Sequence, residues 1–214
     1  MTKYKLIIFD FDGTLADSFA VFVNAWSVVA LRYGLKSLGA EEVERLRSYS
    51  AREAIAYLGV PRWKLPLLTR EMRKSMQNGL GGVVLFSGVE NLLRELKAKG
   101  LKIAVVTTNF RQNVERVLGP ECICLIDCFR CGVSVFGKGP KIRSVIRAIG
   151  VRKKEVLCVG DEVRDAEVAR ELGIDFVGVS WGYTRAEKLR PFSKMQLCSS
   201  PEDILSLISV PHCR

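Results

Sequence analysis

Leu6-Ile7-Ile8-Phe9-Asp10-Phe11-Asp12-Gly13-Thr14-Leu15 is an apolar run that drives into two aspartates and a glycine. It reads as a buried strand ending in a carboxylate-bearing turn. Open α/β sheets place their chemistry at the carboxyl ends of such strands. Two carboxylates two residues apart can divide labour, one attacking and the other moving protons. An EF-hand counted from Asp10 fails, because Leu15 and Val21 stand where Gly and Glu are needed.

A second apolar run ends the same way. Val156-Leu157-Cys158-Val159 leads into Gly160-Asp161-Glu162-Val163-Arg164-Asp165. Asp161 and Asp165 lie four residues apart, so a helix starting there projects both toward the sheet edge. Their hard oxygens suit Mg²⁺. Between the two acidic turns, Val105-Val106-Thr107-Thr108-Asn109 ends a strand in hydroxyls and an amide, groups that bind phosphoryl oxygens. Thr108 is preferred to Thr107 as the ligand. Lys138, between Gly137 and Gly139, reads as an ammonium aimed inward from a tight turn.

Helix and strand alternate through the rest of the chain, which implies a parallel, doubly wound sheet. Beyond Asp17 the spacing of Phe19, Phe22, Val23, Trp26, Val29, Ala30 and Tyr33 is helical. Helical character continues through Glu41–Arg47, Ser50–Leu58 and Leu67–Met76, and Gly79-Leu80-Gly81-Gly82 reads as a hinge. The expected organisation is a core of residues 1–16 and 83–214 with a helical cap over 17–82. A short helix is expected over Asn113–Leu118 and a β-rich stretch over about Ile123–Phe136.

Composition narrows the chemistry. The single histidine is His212, so a Ser-His-Asp triad and an H-E-x-x-H zinc site lack their imidazoles. Cys122, Cys124, Cys128 and Cys131 are spaced C-x-C-x3-C-x2-C, without the paired C-x2-C turns of a zinc site. They are read as buried apolar residues on or beside a strand. Cys124/Arg130 and Cys158/Arg164 match C-x5-R, but acidic residues inside both loops would repel phosphate. Gly132 to Lys138 imitates a P-loop, yet Gly139 stands where the metal-binding hydroxyl belongs. The net charge of +10 favours anionic ligands. Without a basic run or a nucleic-acid motif, nucleic acid is disfavoured as a partner. No membrane span and no leader are expected, and a cytoplasmic monomer or homodimer is the expectation.

Asp10-Phe11-Asp12-Gly13-Thr14, Thr108-Asn109, Lys138 and Gly160-Asp161-Glu162-Val163-Arg164-Asp165 together resemble, in order, the motifs of the haloacid dehalogenase (HAD) superfamily. The likeness is greatest to its phosphoglycolate phosphatase-like branch. Ser50-Ala51-Arg52-Glu53-Ala54 resembles that branch's cap segment, with Ser50 where glycine is common. The resemblance implies an α/β, Rossmann-like parallel core with a small inserted helical cap. It implies Mg²⁺-dependent hydrolysis of a small phosphorylated metabolite, with a phosphoglycolate-like compound as one candidate, through an aspartyl-phosphate.

Carried over, Asp10 is the nucleophile and Asp12 the general acid and base. Thr108 and Lys138 hold the phosphoryl group, and Asn109 and Arg52 contact substrate. The metal set is Asp10, the main-chain carbonyl of Asp12, and Asp161, with Asp165 nearby or bonded to Lys138. An acid at position 12 departs from the P-type ATPases, dehalogenases and phosphonatases of the superfamily, which carry Thr, Tyr and Ala there. A mutase or phosphotransferase with the same nucleophile, and a catalytically idle protein of the same fold, are the alternatives.

Overall fold

Strand β1 (Leu6–Phe9) is buried along its whole length and lies in the middle of the sheet. A computed structural model of the chain describes residues 2–49, 51–133, 137–193 and 196–209; the side chains of residues 51, 52 and 80 lie outside the description. β1 pairs in parallel with β4 (Lys102–Val106) on one side and β6 (Val156–Gly160) on the other. β5 (Cys128–Arg130) and β7 (Asp175–Gly178) complete a five-stranded parallel sheet, in the order β5-β4-β1-β6-β7. The chain leaves β1 toward β4 on one side and later returns to β6 on the other. β1 and β6 therefore flank the switch point, where the carboxyl ends of open α/β sheets leave a crevice.

Strand periodicity divides the core. Ile7 and Phe9 face one apolar layer with α5 (Val89–Ala98), α6 (Arg111–Ile123) and the helix Pro201–Ser209. Leu6 and Ile8 face the other, with α7 (Gly139–Ile149) and α8 (Val163–Leu172). Both faces are covered, so the strands are near-continuous apolar runs rather than alternating ones.

Between β1 and β4 the chain passes through α1 (Phe19–Tyr33), α2 (Ala40–Leu46), α3 (Ala51–Tyr57) and α4 (Leu65–Asn78). These helices share an apolar cluster of their own, built on Trp26, Val29, Leu58, Val60 and Leu68. β2 (Ala16–Asp17) pairs antiparallel with β3 (Val84–Leu85), so the way out of the sheet region and the way back are tied at one place. The sequence carries no evident signal for this two-residue ladder. The glycine-rich stretch before it is a short 3-10 turn at Leu80–Gly82.

The short helix expected over 113–118 is present as the first part of α6, which breaks where Gly119 leaves helical geometry (φ 69°, ψ 167°) ahead of Pro120. One expectation is corrected. The β-rich stretch contracts to Cys128–Arg130, because α6 continues through Ile123; residues 134–136 lie outside the described residues. The cysteines there do not share one environment: Cys122 and Cys128 are buried, Cys131 is half-buried and Cys124 is exposed. His212 also lies outside the described residues. Among the described residues no helix is long and apolar enough to cross a membrane.

Candidate active site

Asp10 follows β1 directly, and its N–H donates to the carbonyl of Val159 on β6 (2.9 Å). That bond extends the ladder one residue and aims the carboxyl at the switch point. Asp161 follows β6 and is fully buried. Its Oδ1 accepts from the Thr14 hydroxyl (2.7 Å) and its Oδ2 from the Tyr183 N–H (2.8 Å). Asp165 sits in the first turn of α8. Its Oδ2 accepts from the Glu162 N–H (3.3 Å), and its Oδ1 lies 2.6 Å from Lys138 Nζ. The same ammonium is 2.7 Å from Asp10 Oδ2. One oxygen each from Asp10, Asp161 and Asp165 falls within a 4.8 Å cluster.

The packing around Asp161 excludes any side chain at two glycines. A Cβ on Gly13, whose φ is +78°, would run into Asp161 Oδ2. A Cβ on Gly182 would overlap Asp161 Cβ and the Gly13 carbonyl. The DxDGT turn and the Gly182 loop thus close on Asp161 from two sides.

Burial raises the Asp10 carboxyl to about 7; the Lys138 ammonium opposes the rise and the Asp165 charge adds to it. Burial also holds the Asp161 carboxyl well above its ordinary range, helped by the charges of Glu162, Asp10 and Asp165. Lys138 meets the same desolvation, but its two carboxylate partners outweigh it and keep the ammonium charged. Three carboxylates around one ammonium leave surplus negative charge in a low-dielectric site. Hard oxygen donors in that surplus match a divalent cation such as Mg²⁺ or Ca²⁺.

Asp12 stands apart from this cluster. Its Oδ1 accepts from the Ser18 hydroxyl (2.9 Å), and both oxygens accept from Asn109 Nδ2 (3.3 and 3.1 Å). Burial raises its carboxyl, and the bonds from Ser18 and Asn109 limit the rise. Asn109 therefore bears on Asp12 and also lines the cavity beside it. The buried Thr107 hydroxyl accepts from the Asn109 N–H (3.0 Å) and shapes the turn. Thr108 opens instead onto a cavity of about 470 Å³ that also reaches Asp12, Ser18 and Asn109. Arg52 lies in α3, but its side chain is outside the described residues.

Several contributors escaped the sequence reading. Ser18 hydrogen-bonds both Asp12 and the Tyr183 hydroxyl, the latter at 2.9 Å. Tyr183 packs its ring on Phe19 and Phe22 and lends its N–H to Asp161. Arg47, from the end of α2, donates to the carbonyl of Gly182 (2.7 Å). Thr14 lay inside a recognised motif, whereas Gly182-Tyr183 carries no local pattern. The Cys158 thiol is buried and pushed up to about 12, which removes the C-x5-R reading at Cys158/Arg164.

A sheet edge built from two acidic turns and a buried lysine, on a parallel sheet, defines a class. The family model for haloacid dehalogenase-like hydrolases matches residues 7–179, and the chain belongs to that family. Within it the chain is a phosphatase of the phosphoglycolate phosphatase-like kind. A phosphoglycolate phosphatase of Synechococcus elongatus is 29% identical over 206 residues, covering 96% of this chain and 97% of that one. The tyrosine-protein kinase PtkA of Mycobacterium tuberculosis is 28% identical over 192 residues, covering 86% and 64%. A haloacid dehalogenase-like hydrolase from Streptococcus pneumoniae superposes with a TM-score of 0.83 at 21% identity, covering 97% and 99%, a likeness of fold.

Proposed function

We propose that this protein is a Mg²⁺-dependent phosphomonoester hydrolase that works through an aspartyl-phosphate on Asp10. The observation that carries this reading is the contact of Asp10 with Lys138 inside the three-carboxylate cluster. A carboxylate attacking a phosphate dianion meets like-charge repulsion, and the Lys138 ammonium offsets part of it. Asp10, Asp161 and the main-chain carbonyl of Asp12 would hold the cation, with Asp165 anchoring Lys138. When bound, Mg²⁺ supplies electrophilic stabilisation of the phosphoryl oxygens.

Asp12 gives its proton to the departing alkoxide as the Asp10–phosphorus bond forms. It then takes a proton from the water that splits the acyl-phosphate. A raised carboxyl suits the first role, because a general acid must hold its proton near working pH. Thr108 faces the cavity and contributes its hydroxyl to the phosphoryl group. The helices of 17–82 act as a cap that closes this space and excludes water from the acyl-phosphate. The substrate is a small phosphorylated metabolite, and the relatives' names make phosphoglycolate the first to test.

The deciding experiment assays p-nitrophenyl phosphate with and without EDTA, for the wild-type chain and Asp10→Asn. The expected outcome is turnover in the untreated wild type alone. Full activity in EDTA or in the variant would overturn the mechanism.

The likeness to PtkA favours a second reading, transfer of the Asp10 phosphoryl to an acceptor other than water. Label appearing on added protein or metabolite, rather than as inorganic phosphate, would select it.

A further inference from the structure

The cavity beside Asp12 is too large and too apolar for a two-carbon acid. Its volume of about 470 Å³ lies in the range of pockets that hold drug-sized molecules, roughly 300–1,000 Å³. Its polar edge includes Asp12, Ser18, Thr108 and Asn109, with Glu162 held by Arg164. From there it runs among the helices of 17–82, where Phe19, Phe22, Trp26, Ile55, Leu68 and Met72 line it. A wall of this kind binds by removing apolar surface from water, and a short charged molecule offers it none.

Three guanidinium groups also line the cavity, from Arg47, Arg73 and Arg164. Two are already engaged. Arg47 donates to the Gly182 and Tyr183 carbonyls and pairs with Glu44. Arg164 pairs with Glu162 at 2.6 Å. Arg73 has no hydrogen-bond or ion-pair partner among the described residues, and partial desolvation lowers its affinity for a proton. It lies on the face of α4 that carries Leu65, Leu68, Thr69, Met72 and Met76 into the same cavity. A half-buried cation among apolar side chains is costly until an anion pairs with it.

Resting on the phosphatase reading above, we infer that the substrate is a phosphomonoester whose leaving group combines an apolar body with a carboxylate. The apolar body fills the cavity among the helices, and Arg73 receives the carboxylate as the specificity-determining residue. Phosphoglycolate satisfies only the second half of this description.

Four esters separate the two features. Ethyl phosphate has neither, phosphoglycolate has the acid, 2-phenylethyl phosphate has the apolar body, and O-phosphorylated 3-phenyllactate has both. Each is assayed with wild type and Arg73→Gln, with p-nitrophenyl phosphate as reference. The phenyllactate ester is expected to exceed phosphoglycolate in kcat/KM by about tenfold or more, the scale on which an apolar pocket reads added hydrocarbon. Arg73→Gln is expected to raise KM about tenfold for the two esters that carry a carboxylate, the loss of one charged hydrogen-bonded pair, and to leave the two without one near wild type.

Phosphoglycolate equal to or better than its benzyl derivative overturns the inference. So does an equal loss on all four esters, which assigns Arg73 to the packing of α4. Turnover of p-nitrophenyl phosphate with none of the four overturns the inference and leaves the phosphatase reading standing. No turnover of p-nitrophenyl phosphate either overturns both.

Discussion

The Lys138 ammonium lies 2.7 Å from Oδ2 of Asp10, and both side chains are more than nine-tenths buried. Lys138 enters from the start of α7 and Asp10 from the end of β1, so the sheet and its covering helix jointly set the contact. An ion pair this dry is costly to break, because the survivor stays buried and uncompensated.

Lys138→Met is therefore expected to lose both chemistry and stability. Turnover should fall by about 10²–10³, as when one charge-stabilising donor is removed from a reacting oxygen. Unfolding free energy should fall by about 3–5 kcal/mol, because Asp10 and Asp165 lose their shared cation. Steady-state kinetics and urea unfolding measure the two. Wild-type turnover in the variant would remove Lys138 from the mechanism.

Asp12→Asn separates proton transfer from metal binding. Turnover is expected to drop by about 10²–10⁴. Mg²⁺ affinity by calorimetry should stay close to wild type, since the proposed contact is the main-chain carbonyl. Asn109→Ala should move the pH profile alone, because it removes a bond that holds the Asp12 carboxyl down. Loss of Mg²⁺ binding with full turnover in the loaded fraction would reverse the assignment of Asp12.

The raised carboxyls of Asp10 and Asp161 predict a coupling between pH, metal and stability. A folded-state value above the unfolded one means that the folded protein holds protons the unfolded chain releases. The stabilising contribution is thus complete below about 4 and is lost as pH rises through about 7, the Asp10 value. In EDTA, these two groups should lower Tm between pH 5 and pH 8. Mg²⁺ binds the ionised form, so it should raise Tm more at pH 8 than at pH 5. An equal rise at both pH values, measured by calorimetry, would contradict this account.

Gly182→Ala tests the packing behind Asp161. The added methyl group has no room beside Asp161 Cβ and the Gly13 carbonyl, so the aspartate or the loop must shift. Mg²⁺ affinity should fall by about 10–100-fold, the usual effect of disturbing a group that orients a metal ligand. Retained fold with unchanged affinity, read by circular dichroism and calorimetry, would show that the loop yields instead.

Part of the site was legible because its signals are local. An apolar run that stops at an acid is enough to mark Asp10 and Asp161 as strand-end carboxylates, and Asp165 follows by helical spacing. Lys138 stood out through its flanking glycines. Arg52 was chosen by resemblance alone, and its side chain lies outside the described residues. Thr107, passed over beside Thr108, proved to brace the turn rather than face the cavity.

By itself the sequence determined the alternation of helix and strand, the parallel sheet, the helical character of 17–82 and the carboxylates at two strand ends. Those features depend on neighbours a few residues apart, where periodicity and turn chemistry act. Only the tertiary structure decided the rest. Thr14 reaches Asp161 across 147 residues of chain and Ser18 meets Tyr183 across 165. Arg73 was one of several basic residues on helices until the fold turned it into a largely apolar cavity and left it without a partner among the described residues. Such contacts arise from how layers pack, and no local pattern encodes which side chain will stand opposite which.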